Sequence, residues 1–211
     1  MGKGRGGFDS RGGRGGGGEG EGVIVLSQNS LVSAREGRQA EVDQTLGVLR
    51  DVNDKYGAVA EDLSVVQLDA KDANCMAYYR FDEDSISVNR NYFKNIDGAY
   101  DRAVEQGFHP ARGNKSGLEA TIAHEAGHMV TARIGERFGS TSTNQAAELI
   151  VKRAAEQGGY RSFASMAKQV SKYAGTNYAE LVAESFTDVY CNGTAASAVS
   201  RSIMGVVDSF F

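Results

Sequence analysis

Cysteine and histidine are scarce in this chain, long apolar runs are missing, and there is no excess of basic charge. Its two cysteines, Cys75 and Cys191, stand 116 positions apart in 211 residues. That excludes a CxxC metal site and a disulfide framework, and it fits buried thiols in a reducing compartment. The longest uninterrupted aliphatic stretch, Val23 to Leu26, is far too short for a signal-peptide core or a membrane span. Gly2 is present, but Gly6 stands where a myristoylation signal needs Ser or Thr. Nothing marks the chain for export, and a cytoplasmic location with no membrane partner is the expectation. A net charge of −4 and a pI near 5.5 give no global field for nucleic acid or an anionic membrane. The length suits one domain with a real core.

Residues 1–22 differ from the rest. Twelve of the 27 glycines fall there, with Arg5, Arg11 and Arg14 in Arg-Gly-Gly steps and acidic Glu19 and Glu21 after them. Glycine at that density loses too much backbone entropy on ordering, so a disordered tail is expected, with the folded domain spanning 23–211. Such segments can bind RNA. Three steps diluted by acid favour a flexible tether instead, so nucleic acid is not the expected partner.

Beyond the tail, Gly22–Leu26 reads as a short strand. Residues 37–56 read as an amphipathic helix with Val42, Leu46, Leu49 and Val52 at helical spacing, stopped by Gly57. Strands are expected at Leu63–Leu68, Met76–Phe81 and Ser85–Asn89, the last two joined by a hairpin loop at 82–84. A helix over Asp97–Gly107 leads to His109-Pro110, where His109 reads as a structural loop residue. Helices are expected at 143–157 and 161–172. Ala195–Phe211 reads as a final helix that closes the core or docks a partner.

The other two of only three histidines lie in Ile122-Ala123-His124-Glu125-Ala126-Gly127-His128. Residues four apart share a helix face, so His124 and His128 can reach one metal ion, with Glu125 beside it as a base. Ser116-Gly117-Leu118-Glu119 is a capping box that starts the helix, and Gly139 is its stop. Gly127 lowers helix propensity by about 1 kcal/mol relative to Ala, so it needs a packing reason. A surface helix could carry the same residues by chance. A third ligand decides between the two readings.

Candidates for it lie in Tyr173-Ala-Gly-Thr-Asn177-Tyr-Ala-Glu180-Leu-Val-Ala-Glu184-Ser-Phe-Thr-Asp188. With Asn177 as N-cap, a helix runs from Tyr178 to about Cys191 and is stopped by Asn192-Gly193. Glu180, Glu184 and Asp188 then line one side. Like charges at this spacing repel by a few tenths of a kcal/mol per pair, so they need a cation or solvation. Either a metal-binding face or a solvated acidic face fits the pattern. Combined with the two histidines, one carboxylate completes an open zinc site.

HEAGH followed by Tyr-x-x-Thr-Asn-x-x-Glu-x-x-Ala-Glu-x-Phe resembles the compact gluzincin metallopeptidases. It is most similar to the catalytic domain of anthrax lethal factor and to zincin-like peptidase domains in bacteriophage proteins. The resemblance covers about residues 60–191 and is strongest over 118–130 and 172–190. It implies Zn²⁺ held by His124, His128 and Glu180, with Glu184 hydrogen-bonding behind the ligands. Glu125 would be the general base, and Tyr173 an oxyanion donor. A thermolysin-like register would instead make Glu184 the ligand and Asp188 its partner. The full string and the placement of Tyr173 agree only with Glu180. The third histidine of the metzincins is missing.

The implied fold is α+β and zincin-like, a small mixed β-sheet packed on the HExxH helix with a helical C-terminal half. The implied activity is hydrolysis of a protein or peptide, added as a strand to a sheet edge; Ser85–Val88 reads either as that edge or as an ordinary inner strand. A phage-type source would place the protein in host cytoplasm or virion, with a viral assembly partner. The alternative is a catalytically silent module within such an assembly.

Overall fold

In a computed structural model of the chain, the described residues are 24–25, 39–57, 64–68, 75–82, 84–89, 92, 95–140 and 142–211. The glycine-rich stretch 1–22 and the middle residue of the 82–84 loop lie outside them. Along the chain come β1 (Ile24–Val25), α1 (Gln39–Tyr56), β2 (Ser64–Leu68), β3 (Ala77–Arg80) and β4 (Ser85–Asn89). Then follow α2 (Ile96–Glu105), α3 (Gly117–Arg137), α4 (Thr143–Gly158), α5 (Phe163–Ala167), α6 (Tyr178–Asn192) and α7 (Ala198–Asp208). The arrangement is α+β, with strands confined to the first half and helices filling the second. No helix among the described residues is long and apolar enough to cross a membrane.

Among the described residues the sheet is mixed and four-stranded, in the order β1-β2-β4-β3. β4 pairs parallel with β2 (Val65 opposite Ile86) and antiparallel with β3 (Tyr79 opposite Ile86). Of the two readings of Ser85–Val88 the inner strand holds and the edge fails: it is hydrogen-bonded on both sides and buried along its length, so it cannot accept a further strand. The edge on that side is β3. Alternation along β4 puts Ile86 and Val88 into the core that also holds Leu118 and Ile122 of α3. At the hairpin, Asp84 takes the left-handed conformation (φ 46°). Its carboxylate accepts from Tyr79 Oη at 2.7 Å and from the Arg133 guanidinium of α3, which ties the edge strand to that helix.

α3 is the central element. It packs against α1, α2, α4, α6 and β3, and Leu118, Ile122, Met129 and Ile134 are fully enclosed. Its start is the expected capping box: Ser116 Oγ accepts from Glu119 N–H at 3.1 Å, and Glu119 Oε2 accepts from Ser116 N–H at 2.8 Å. Gly139, at φ 67°, ends it. On α1 the buried face is Thr45, Val48, Leu49, Val52 and Tyr56, while Leu46 is only half-buried. Tyr56 Oη donates to Asp208 at 2.9 Å and joins α1 to α7.

The helix expected over 161–172 is much shorter. After α5 the backbone turns, because the N–H groups of Lys172 and Tyr173 leave the helical pattern and donate to the carbonyls of Gly107 and Phe108. A 3₁₀ turn, Tyr173–Gly175, follows. That exchange brings the loop after α2 and the approach to α6 side by side.

Candidate metal centre

The histidine pair sits mid-way along α3, and the carboxylates that face it come from the first half of α6. Asn177 caps α6, its side chain accepting from Glu180 N–H at 3.0 Å, so the helix starts one turn before the residue that matters. The two helices approach closely at Gly127. A Cβ there would lie 2.9 Å from Phe186 Cβ and 3.0 Å from Ala183 Cα, nearer than carbon atoms pack. This is the packing reason for a glycine inside the motif.

At the crossing, Glu180 Oε2 lies 3.2 Å from His124 Nε2 and 3.4 Å from His128 Nε2. The two imidazoles stand nearly perpendicular, with ring centroids 4.9 Å apart. Among the described residues these three side chains form a group able to hold a metal ion, each offering one donor atom within 4.8 Å of the others. The donor set fits zinc: ligands at about 2.0–2.1 Å in a tetrahedron are roughly 3.3–3.4 Å from one another. Three donors also leave one position open.

Glu184, one turn on, is fully buried and does not face the same point. Its Oε1 accepts from His109 Nδ1 at 2.8 Å, and its Oε2 from Ser171 Oγ at 2.7 Å. Oε1 also lies 2.9 Å from His124 Nδ1. That approach is off the axis of a hydrogen bond, and the nitrogen is otherwise a buried polar atom without an aligned partner. Asp188 is turned away from the site. It accepts from Asn192 Nδ2 and from Ser197 N–H, both at 2.9 Å, and so joins the end of α6 to the start of α7. The solvated acidic face therefore fails: Glu180, Glu184 and Asp188 are 3 %, 0 % and 6 % exposed. Of the three carboxylates, Glu180 is the one whose oxygen meets both imidazoles at a common point.

Proton affinities follow from this crowding. Burial alone would push the Glu180 carboxyl up, but His128 and His124 beside it outweigh that and hold it below the usual range. At Glu184 burial is likewise outweighed, by His109 and then His124, which bring it down to about 2. His124 is pushed down by burial and raised further by Glu180 and Glu184, ending well above an ordinary imidazole. Glu125 goes the other way. Burial raises its carboxyl, His124 and His128 oppose this, and Glu180 adds to it. The backbone N–H of Tyr79, on the edge strand, is directed at Glu125.

Tyr173 is half-buried, its ring 5.9 Å from that of His124 and 5.6 Å from that of His109. Burial, then Glu180, Glu125 and Glu184, push its hydroxyl up, so it stays protonated. Sequence reasoning placed His124, Glu125, His128, Glu180, Glu184 and Tyr173, and the fold brings all six together. It missed the contacts of His109 and Ser171 with Glu184. For Ser171 no local pattern pointed there; for His109 the scarcity of histidine was the only signal. No protein-family model, curated protein or solved structure matches this chain.

Proposed function

We propose that the protein is a zinc-dependent metallopeptidase of the gluzincin type, hydrolysing peptide bonds of a protein or peptide. One observation carries the reading: His124, His128 and Glu180 meet at a single point with Glu125 buried beside them. Zinc in such a donor set supplies Lewis acidity, bringing the pKa of water to about 7 and polarising a carbonyl.

The chain's own residues supply the rest. Glu125, its proton affinity raised by burial, takes a proton from water at a carboxylate oxygen and returns it to the leaving amine. The protonated hydroxyl of Tyr173 is a donor to negative charge developing on the scissile carbonyl. Losing one such donor costs on the order of a hundredfold in rate. β3 offers the sheet edge nearest α3, and an extended substrate adds there through main-chain hydrogen bonds. The Asp84–Arg133 contact holds that edge against the helix.

The test is metal content and hydrolysis of an unfolded protein such as casein, on purified wild type and two variants. Wild type should carry about one zinc per chain, in keeping with a single three-ligand site. His128→Ala should lose it, and Glu125→Gln should keep it while hydrolysis stops. Zinc retained in His128→Ala would remove the site. Zinc in wild type without hydrolysis of any protein would favour the silent module.

A further inference from the structure

The chain has three histidines, and the one that is not a proposed ligand stands beside one that is, its ring 6.1 Å from that of His124. We propose that His109 is a positioning residue for the metal centre, fixing the ligand His124 through a hydrogen bond to Glu184. The proposal rests on the zinc reading above.

The argument starts from Glu184. With no exposure to water, it can be oriented only by protein groups, and each of its oxygens has a donor. Ser171 Oγ holds Oε2 at 2.7 Å, and His109 Nδ1 holds Oε1 at 2.8 Å. Oε1 is also the oxygen that lies 2.9 Å from His124 Nδ1. An ionised carboxylate only accepts, so Nδ1 of His109 carries the hydrogen of that contact. Without His109 the carboxylate keeps a single anchor at Oε2 and can swing about it, taking Oε1 from His124. Glu184 Oε1 meets His124 Nδ1 as a close charge contact rather than an aligned hydrogen bond, and losing the carboxylate beside a ligand histidine's second nitrogen typically costs about 10–100-fold in metal affinity.

His109 is itself built in. Its ring stacks on Tyr100 with centroids 5.3 Å apart and planes 13° from parallel, and it meets His124 edge-on at 6.1 Å. The carbonyls of Gly107 and Phe108, just before it, accept from the backbone N–H groups of Lys172 and Tyr173. The same backbone exchange that ends α5 early therefore sets His109 and Ser171 on one carboxylate, with the Tyr173 ring beside His109 and His124. His109 stays outside the group of donor atoms that can share an ion.

A purely structural role would come from the ring on Tyr100, a positioning role from the N–H at Nδ1, and two substitutions on the full chain separate them. His109→Phe keeps an aromatic ring and loses the donor. His109→Asn loses the ring and keeps an amide N–H near the place of Nδ1. Zinc affinity is read by competition with a chromophoric chelator, and the melting temperature of each metal-free variant is read alongside. The expected result is a loss of about 10–100-fold in His109→Phe, with His109→Asn within about threefold of wild type. His109→Gln, which carries its donor near the Nε2 position, should lose affinity as His109→Phe does, and it serves if the Phe variant does not fold. Unchanged affinity in both Phe and Gln variants overturns the proposal. So does a greater loss in His109→Asn than in His109→Phe, which would make the ring the important part. A wild type that binds no zinc would overturn the metal reading first, and this role with it.

Discussion

Glu180, Glu184 and Asp188 share one side of α6, and the fold gives each a different task. Three like charges at this spacing repel one another, yet all are buried, so each needs its own partner. Glu180 has the imidazoles of His124 and His128, Glu184 has His109 and Ser171, and Asp188 has Asn192 and the amide of Ser197. Substitution should therefore rank them. Glu180→Gln should weaken zinc binding most, since a neutral amide is a poor replacement for a ligand carboxylate. Glu184→Gln should cost about 10–100-fold. Asp188→Asn should leave zinc affinity alone and lower stability by about 1–3 kcal/mol, the usual cost of mismatching a buried hydrogen bond. Zinc competition titrations on the three variants give the order. A most severe loss at Glu184, with Asp188 next, would restore the thermolysin-like register.

At the level of elements, the site is a property of one helix crossing. α3 supplies two donor side chains and the buried Glu125, α6 supplies the third donor, and Gly127 sets how closely the two helices approach. Gly127→Ala would gain about 1 kcal/mol in helix propensity. Against that, its methyl would strike Ala183 Cα and Phe186 Cβ, atoms at or next to the backbone that cannot step aside cheaply. Overpacking of this kind typically costs about 1–3 kcal/mol, so the clash should win. The variant should melt below wild type and bind zinc more weakly, because α6 is displaced where it carries Glu180. A melting temperature at or above wild type would show that the approach is looser than the geometry states. The edge strand shows the limit of reading elements one at a time. Ser85–Asn89 and Ala77–Arg80 are both plain strands in sequence, and only their pairing with β2 decides which one is the edge.

For the whole molecule, the buried histidine and carboxylate cluster couples folding to pH. His124 has a folded-state pKa raised above its ordinary 6.5, so its contribution is complete below about 6.5 and is lost as pH rises through the folded value. Glu180 and Glu184 are depressed from 4.5. Their contribution is present above about 4.5 and is lost as pH falls through the folded values. These groups favour metal-free protein between those limits, while Glu125, raised by burial, weakens it as pH climbs above about 4.5, in the same direction as His124. The metal-free melting temperature should fall as pH rises above about 6.5 and His124 gives up its proton among buried carboxylates. Zinc needs the imidazoles unprotonated, so its stabilising effect should widen over the same range. At a hundred times its dissociation constant it adds about 2.7 kcal/mol. Thermal melts with a chelator and with zinc, across that pH range, measure both trends. A metal-free melting temperature that rises with pH would contradict the assigned state of His124.

The amino-acid sequence determined the local facts. The HExxH spacing puts His124 and His128 on one face of any helix that forms there. The Ser116–Glu119 box and the Asn177 cap start the two helices at the right turns. The i, i+4 series from Glu180 limits the third ligand to a few carboxylates. All of this is legible because helix periodicity and capping act over four residues or fewer. Tertiary structure decided what depends on groups far apart in the chain. It chose Glu180 over Glu184 for the common point, sent Asp188 to the start of α7, and made β3 rather than β4 the edge. It also placed His109 and Ser171, 75 and 13 positions from Glu184, on the two oxygens of that carboxylate. No local pattern encodes those contacts, because they exist only where the loop after α2 pairs with the turn before α6.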